Sequence, residues 1–289
     1  MKIGRGRTLK STKYIQKQRK QLIWNIALSI FAVILLLVVF IMFVRLPFFQ
    51  IKNIKVDGVE SIDGAEIENI VKPFLAGNYL YFIPRSHFLL YPKGEIMDTL
   101  LLKYEKINTL KSNIKGISTY SLIITERVPH VLVCEGWSED GENCYLADHK
   151  GYIFEIASST NSSLKYFKYY SNTGSTTPGN YFIDTQRFLD LQMFVKNLAD
   201  AGIEANGMLI GEEGSYELYI KNKDGSTAVV YFDNRLELDK TLSNLIVFWQ
   251  NAMNKKIGLD SVPNFDYINL RFGNNVFYLI KENAEKSSQ

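Results

Sequence analysis

The side chains best suited to chemistry in this sequence are three histidines and two cysteines, and their spacing argues against a reaction centre. His87, His130 and His149 are widely separated, and no H-E-x-x-H pair sits at helical spacing. Cys134 and Cys144 lack nearby partners that would complete a tetrahedral zinc site. No G-x-S-x-G elbow offers a serine nucleophile, and no G-x-x-x-x-G-K loop would cradle a phosphate. Two adjacent pairs invite an acid–base reading, Glu126-Arg127 and Asp148-His149. Neighbours on a strand face opposite ways, so the first pair reads as surface charge, while the second reads as a turn. Asn161-Ser162-Ser163 fits the glycosylation pattern, but a three-residue match in a Ser-rich stretch carries little weight. The expectation is a protein without catalytic residues, cofactor, metal or small-molecule substrate.

The stretch that positions everything else is Leu22–Val44, 23 residues without a charge, whose polar side chains are Asn25 and Ser29. At about 1.5 Å per residue a helix of this length crosses a hydrocarbon core of about 30 Å. Residues 1–20 carry eight cations and no acid, which predicts a cytoplasmic N-terminus and sends residues 46–289 across the membrane. A cleaved signal peptide would have a shorter apolar run ending at small residues, whereas this one ends Phe43-Val44-Arg45-Leu46-Pro47. An uncleaved anchor is the better reading. The net charge of +3 hides an asymmetry: removing the eight cations leaves 25 Lys and Arg against 30 Asp and Glu, about −5. The tail can touch anionic lipid or serve as a plain charged leader. The acidic remainder argues against nucleic acid. Beyond the membrane the exterior is oxidising, so a Cys134–Cys144 disulfide is expected, with two free thiols as the alternative.

After the span, the patterning predicts an α+β protein with two domains, 48–128 and 129–281, between a basic tail (1–21) and a polar tail (282–289). In the first, Gln50–Val56 alternates like a half-buried strand and turns at Asp57-Gly58. Ile67, Ile70, Val71, Phe74 and Leu75 form one helical face, and Ile96, Met97, Leu100, Leu101 and Tyr104 a second. Strands follow at about 107–115 and 118–128, giving the order strand, helix, helix, strand, strand. In the second domain short strands are expected at 131–134, 144–147 and 151–156, with a turn at Asp140-Gly141. Ser158–Asn180 is expected to be an exposed loop. A helix through Phe188, Leu191, Val195 and Leu198 comes next, then strands at 207–210, 216–221 and 227–232. A helix through Leu238, Leu242, Leu245 and Trp249 precedes two closing strands, 265–272 and 276–281, hinged at Gly273-Asn274.

Several stretches, in this order, resemble the bacterial division proteins FtsQ and DivIB. Phe49-Gln50-Ile51-Lys52-Asn53-Ile54-Lys55-Val56-Asp57-Gly58 is similar to the start of that family's POTRA domain. Ser121-Leu122-Ile123-Ile124-Thr125-Glu126-Arg127-Val128-Pro129 resembles its last strand, running into Glu-Arg-x-Pro. Tyr145–Gly151 resembles the Asp-x-x-Gly hairpin of the second, β-rich domain. Asp266-Tyr267-Ile268-Asn269-Leu270-Arg271-Phe272 is close to the family's terminal strand, with Asn269 standing where the family has aspartate.

The resemblance implies a non-enzymatic scaffold in the cell (inner) membrane at the division septum. It implies partners like FtsB and FtsL and, indirectly, the septal synthase FtsW–FtsI. It further implies that a partner strand adds to the edge near the C-terminus, the mode called β-augmentation. By alternation, Tyr267, Asn269 and Arg271 share one face, and Ile268, Leu270 and Phe272 the other. Arg271 and Phe272 match partner-contacting positions of the family, and Asn275, Val276, Phe277 and Tyr278 join them by proximity. Tyr79–Pro84 either lies at the headgroup level or packs within the protein. Two rivals are a POTRA-bearing translocation or envelope-assembly component, which wants a C-terminal barrel, and a membrane-anchored envelope hydrolase, which wants a clustered nucleophile or metal set.

Overall fold

The computed structural model describes residues 12–136, 143–157, 166–171, 176–254, 263–273 and 275–281. The expected turn at Asp140-Gly141, the Asn161 pattern, Asn274 and the C-terminal tail lie outside them. The chain is a mixed α+β protein with one apolar N-terminal helix and a large β-sheet. It divides into two compact units. One comprises the chain up to Lys103 with Thr109–Thr125, the other Tyr104–Asn108 with the chain from Glu126 onward.

The first unit begins with α1 (Thr12–Val44), of which Gln16–Val44 is long and apolar enough to cross a membrane. None of its most apolar window is buried by the protein. After it come β1 (Asn53–Asp57), α2 (Gly64–Leu75), the two-residue strands β2 (Asn78–Tyr79) and β3 (Ile83–Pro84), α3 (Lys93–Lys103), β4 (Ile107–Lys115) and β5 (Thr119–Glu126). The strands form a sheet in the order β1-β5-β4, with β1 parallel to β5. Asp63 starts α2 by accepting the Ala65 N–H at 2.9 Å, satisfying a donor that has no partner inside the helix. Ile67 and Val71 of α2 and Ile96 and Leu100 of α3 are fully buried, as helical spacing requires. Leu101, expected on the same face, is exposed instead, because it lies on the solvent side of that short helix. Gly58 has φ +84°, and a Cβ there would meet the Ile124 carbonyl oxygen at 2.3 Å, so only glycine makes this turn. β1 starts at Asn53, later than expected, because Gln50 bridges to His87 instead of continuing the strand.

The described residues of the second unit form nine strands. They are β6 (Val131–Glu135), β7 (Cys144–Ala147), β8 (Ile153–Ile156), β9 (Lys168–Ser171), β10 (Ala205–Ile210), β11 (Ser215–Lys221), β12 (Thr227–Asp233), β13 (Phe265–Phe272) and β14 (Asn275–Ile280). Their order across the sheet is β14-β13-β12-β11-β10-β9-β6-β7-β8. Two helices, α4 (Thr185–Asp200) and α5 (Leu238–Met253), cover one face. Their buried residues Phe188, Leu191, Phe194, Leu198, Leu245 and Trp249 meet Tyr169, Met208, Leu218, Val230, Phe265 and Ile268 from the strands. A smaller apolar cluster on other strand residues includes Leu132, Cys134, Leu146, Phe154, Tyr170, Leu209 and Tyr219. Cys134 and Cys144 stand opposite each other on β6 and β7 and are joined as a disulfide.

One expectation is overturned here. The supposed loop Ser158–Asn180 contains β9, which runs parallel to both β6 and β10 in the middle of the sheet. Tyr169 belongs to the helix-covered core and Tyr170 to the smaller cluster, so this short strand is buried on both faces.

Candidate partner-binding edge

The eight residues singled out in the sequence all fall on β13 and β14, at one end of the nine-stranded sheet. Ile268 and Leu270 are buried in the helix-covered core, while Tyr267, Asn269 and Arg271 are half-buried on the other face. Alternation predicted that Phe272 would join Ile268 and Leu270. It does not. The pairing steps from Asn269 opposite Phe277 to Phe272 opposite Asn275, three residues along β13 against two along β14. This bulge reverses the parity of the strand and turns Phe272 outward. Its side chain is 54% exposed, and its ring meets that of Phe277 edge-on at 5.0 Å.

On β14 the strand period separates two sets. Tyr278 sits opposite Ile268 and packs against Phe248 at 5.2 Å and Phe265 at 5.7 Å, so it belongs to the core side. Val276 is half-buried against the same core. Phe277 and Leu279 alternate with them, opposite Asn269 and Tyr267, and both are about half exposed. Leu279 was missed in the sequence although its signal was present, two positions from Phe277 on a strand. Asn275, Val276 and Phe277 also line a cleft of about 600 Å³ with Ser243, Asn244, Val247 and Phe248 of α5. Asn244 also donates to the Gly273 carbonyl at 3.2 Å.

Arg271 is less free than an interface cation would be. Its Nε and its backbone N–H both donate to Asn269 Oδ1, at 3.1 and 3.2 Å, and its guanidinium lies 5.3 Å from the centre of the Tyr231 ring. Burial pushes the Tyr231 phenol up. Nearby, the Arg235 guanidinium beside Asp233 holds that carboxyl below the usual carboxylate range, with a smaller push from Arg271.

Backbone hydrogen bonding is what marks this end of the sheet. Among the described residues, Asn275–Ile280 make no backbone hydrogen bond outside the pairing with β13. The strand reads Asn-Val-Phe-Tyr-Leu-Ile, with no charge and no proline. Edge strands in soluble proteins are normally blunted by lysine, proline or a covering segment, because bare N–H and C=O groups template pairing with another chain.

Of the pairs weighed for acid–base chemistry, one member of each, Arg127 and Asp148, meet one another. Asp148 Oδ1 accepts the N–H groups of Lys150 (2.8 Å) and Tyr152 (3.1 Å), while its other oxygen pairs with Arg127 Nη1. Arg127 also donates to the Glu105 carbonyl and lies over the Tyr152 ring at 3.7 Å. His149 contributes its carbonyl to Gln192. His130 donates its backbone N–H to the Ala147 carbonyl. His87 is buried, accepts the Leu89 N–H on Nδ1 at 3.3 Å, and its pKa is lowered by that burial. Among the described residues no group of three or more His, Cys, Asp or Glu side chains is placed to hold a metal ion. Compared with models of known protein families the chain matches none, and a search of curated proteins finds no match.

Proposed function

We propose that this chain is a non-enzymatic membrane scaffold of the bacterial division machinery. In this reading α1 anchors it in the cell membrane, with the basic tail in the cytoplasm and both units outside. The first unit acts as a POTRA-like docking domain, and its order of strand, helix, helix, strand, strand, interrupted by the β2–β3 hairpin, supports that assignment. The second unit binds FtsB- and FtsL-like membrane proteins and through them bears on septal peptidoglycan synthesis by FtsW–FtsI.

The observation that carries the reading is β14: an uncharged edge strand whose outward side chains, Phe277 and Leu279 with Phe272 beside them, are apolar and exposed. An added strand would satisfy the bare backbone groups and cover those side chains at once. Hydrogen exchange on the full-length chain, with and without the FtsB-like protein of the same organism, tests this. Strand addition predicts that exchange slows at the amides of residues 275–280 that point away from β13. Binding that leaves those amides unprotected would move the interface elsewhere.

A further inference from the structure

The segment that leaves α1 is fastened to a loop some forty residues further on. Arg45 Nε donates to the Phe82 carbonyl at 3.0 Å, and its Nη2 to the Tyr81 carbonyl at 3.1 Å. Gln50 returns to Arg45, donating Nε2 to its carbonyl at 3.0 Å. Ile51 donates to the Ser86 carbonyl and Phe88 to the Phe49 carbonyl, so the chain after α1 and the loop run side by side. Aromatic rings continue the same joint: Phe43 of α1 lies 4.9 Å from Phe49, which stacks on Phe88 at 6.0 Å. The exit of α1 is therefore packed against the loop, and no slack tether separates the two.

What this joint shows on its outside is apolar. Leu80 is 81% exposed and Tyr81 88%, and Phe48, Phe82, Leu89 and Leu90 are exposed as well. Leu80 and Tyr81 also hold left-handed backbone, at φ +47° and +66°. That region costs a residue with a Cβ on the order of 1 kcal/mol. The two Arg45 hydrogen bonds fall on the carbonyls of Tyr81 and Phe82 and hold the turn in that shape. The turn thus keeps two large apolar side chains turned away from the protein, an arrangement that water does not reward.

We infer that Phe48, Leu80, Tyr81, Phe82, Leu89 and Leu90 form a collar that inserts into the headgroup–acyl boundary of the bilayer around the exit of α1. The inference rests on the reading of α1 as a membrane span. Lipid is the occupant because the patch continues the surface of a helix whose apolar stretch from Leu22 to Phe40 is exposed on every side, with Phe43 exposed at its end. A protein groove would cover one face of such a helix, whereas lipid covers every face. The boundary also falls where α1 stops, and tyrosine, phenylalanine and leucine are residues that settle at that depth.

The test uses the full chain in nanodiscs of phosphatidylethanolamine and phosphatidylglycerol, with one nitroxide per variant. The label sites are Tyr81→Cys, Leu89→Cys, Lys111→Cys on the exposed side of β4, and Leu36→Cys within α1. Depth is read from collision with oxygen against collision with a water-soluble nickel chelate. The collar predicts that the oxygen-to-nickel ratio at 81 and 89 exceeds that at 111 by about threefold or more, approaching the ratio at 36. Labels at 81 and 89 that match 111, while 36 stays in lipid, overturn the collar and leave the span standing. Labels at 81 and 89 shielded from both reagents indicate a protein contact and likewise overturn it. A label at 36 open to the nickel chelate removes the span and the collar together.

Discussion

The two ends of the nine-stranded sheet solve the same problem in opposite ways. At the β8 end the edge is strapped where it begins, at residues 151–153. Ile153 donates to the Asn180 carbonyl, Gly179 donates to the Ile153 carbonyl, and Phe182 donates to the Gly151 carbonyl, each at 2.9 Å. Tyr152 and Tyr181 bridge across the strap, with their rings edge-on at 5.2 Å. At the β14 end no described residue plays that part, and the outward side chains are apolar. Both strands carry the same backbone groups with the same demand for partners. The difference teaches that the two edges are finished differently: residues 179–182 cap the start of β8, whereas among the described residues nothing pairs with the outer edge of β14.

The comparison breaks most severely at the closed end. Asp148 is almost wholly buried and holds together Arg127, the turn at 148–151 and the start of the strap. Asp148→Ala strands a largely buried guanidinium and two turn N–H groups, which predicts a loss of about 3–5 kcal/mol in the unfolding of the second unit. Gly151 shows how tight this corner is: at φ +80° a Cβ would sit 2.9 Å from the Phe188 ring. Chemical denaturation followed by near-ultraviolet dichroism measures the loss. Affinity for the proposed FtsB-like partner, measured where the variant is still folded, is expected to stay within about twofold, because the open edge lies at the far end of the sheet.

The open end should respond the other way round. Phe277→Lys with Leu279→Lys leaves the core residues of β14 in place, so stability should move by no more than about 0.5 kcal/mol. Two charges on the edge are the device by which natural sheets refuse a neighbour, and partner affinity is expected to fall about a hundredfold in isothermal titration. The pair should also reduce self-association of the purified chain, visible in sedimentation. Loss of stability matching the loss of binding would place Phe277 and Leu279 in the fold and not in the interface.

How far these two ends were legible differs for physical reasons. β13 was readable to its bounds, Phe265–Phe272, because the alternation of surface and core from Tyr267 to Arg271 leaves a period-two trace. β9 was not, since four residues buried on both faces show no alternation and lie in a stretch rich in serine, threonine and asparagine. Its partners, β6 and β10, are more than thirty residues away in sequence, and the adjacent tyrosines at 169 and 170 were the one hint. The strap at 179–182 was hidden for the same reason, being defined by long-range backbone bonds. At the candidate site both strands were legible as strands, yet the outward orientation of Phe272 depends on the bulge after Asn269, and a change of register is a property of the pairing that neither strand carries alone.

The smallest expected effect is the most discriminating, because it separates the edge of β14 from the polar face of β13 beside it. Asn269 Oδ1 already accepts two hydrogen bonds from Arg271. Asn269→Asp makes both charge-assisted, at a site half open to water where the gain is held to about 0.5 kcal/mol. If the partner adds a strand to β14, it reads main-chain groups and the Phe277–Leu279 side chains, and its affinity should change by less than about threefold. If it lies across the face made by Tyr231, Tyr267, Asn269 and Arg271, the new carboxylate meets it directly, and a buried mismatched charge costs tenfold or more, about 1.4 kcal/mol. Titration of the single variant therefore decides between two neighbouring surfaces, and a large loss would shift the interface from the strand's edge to the sheet's face.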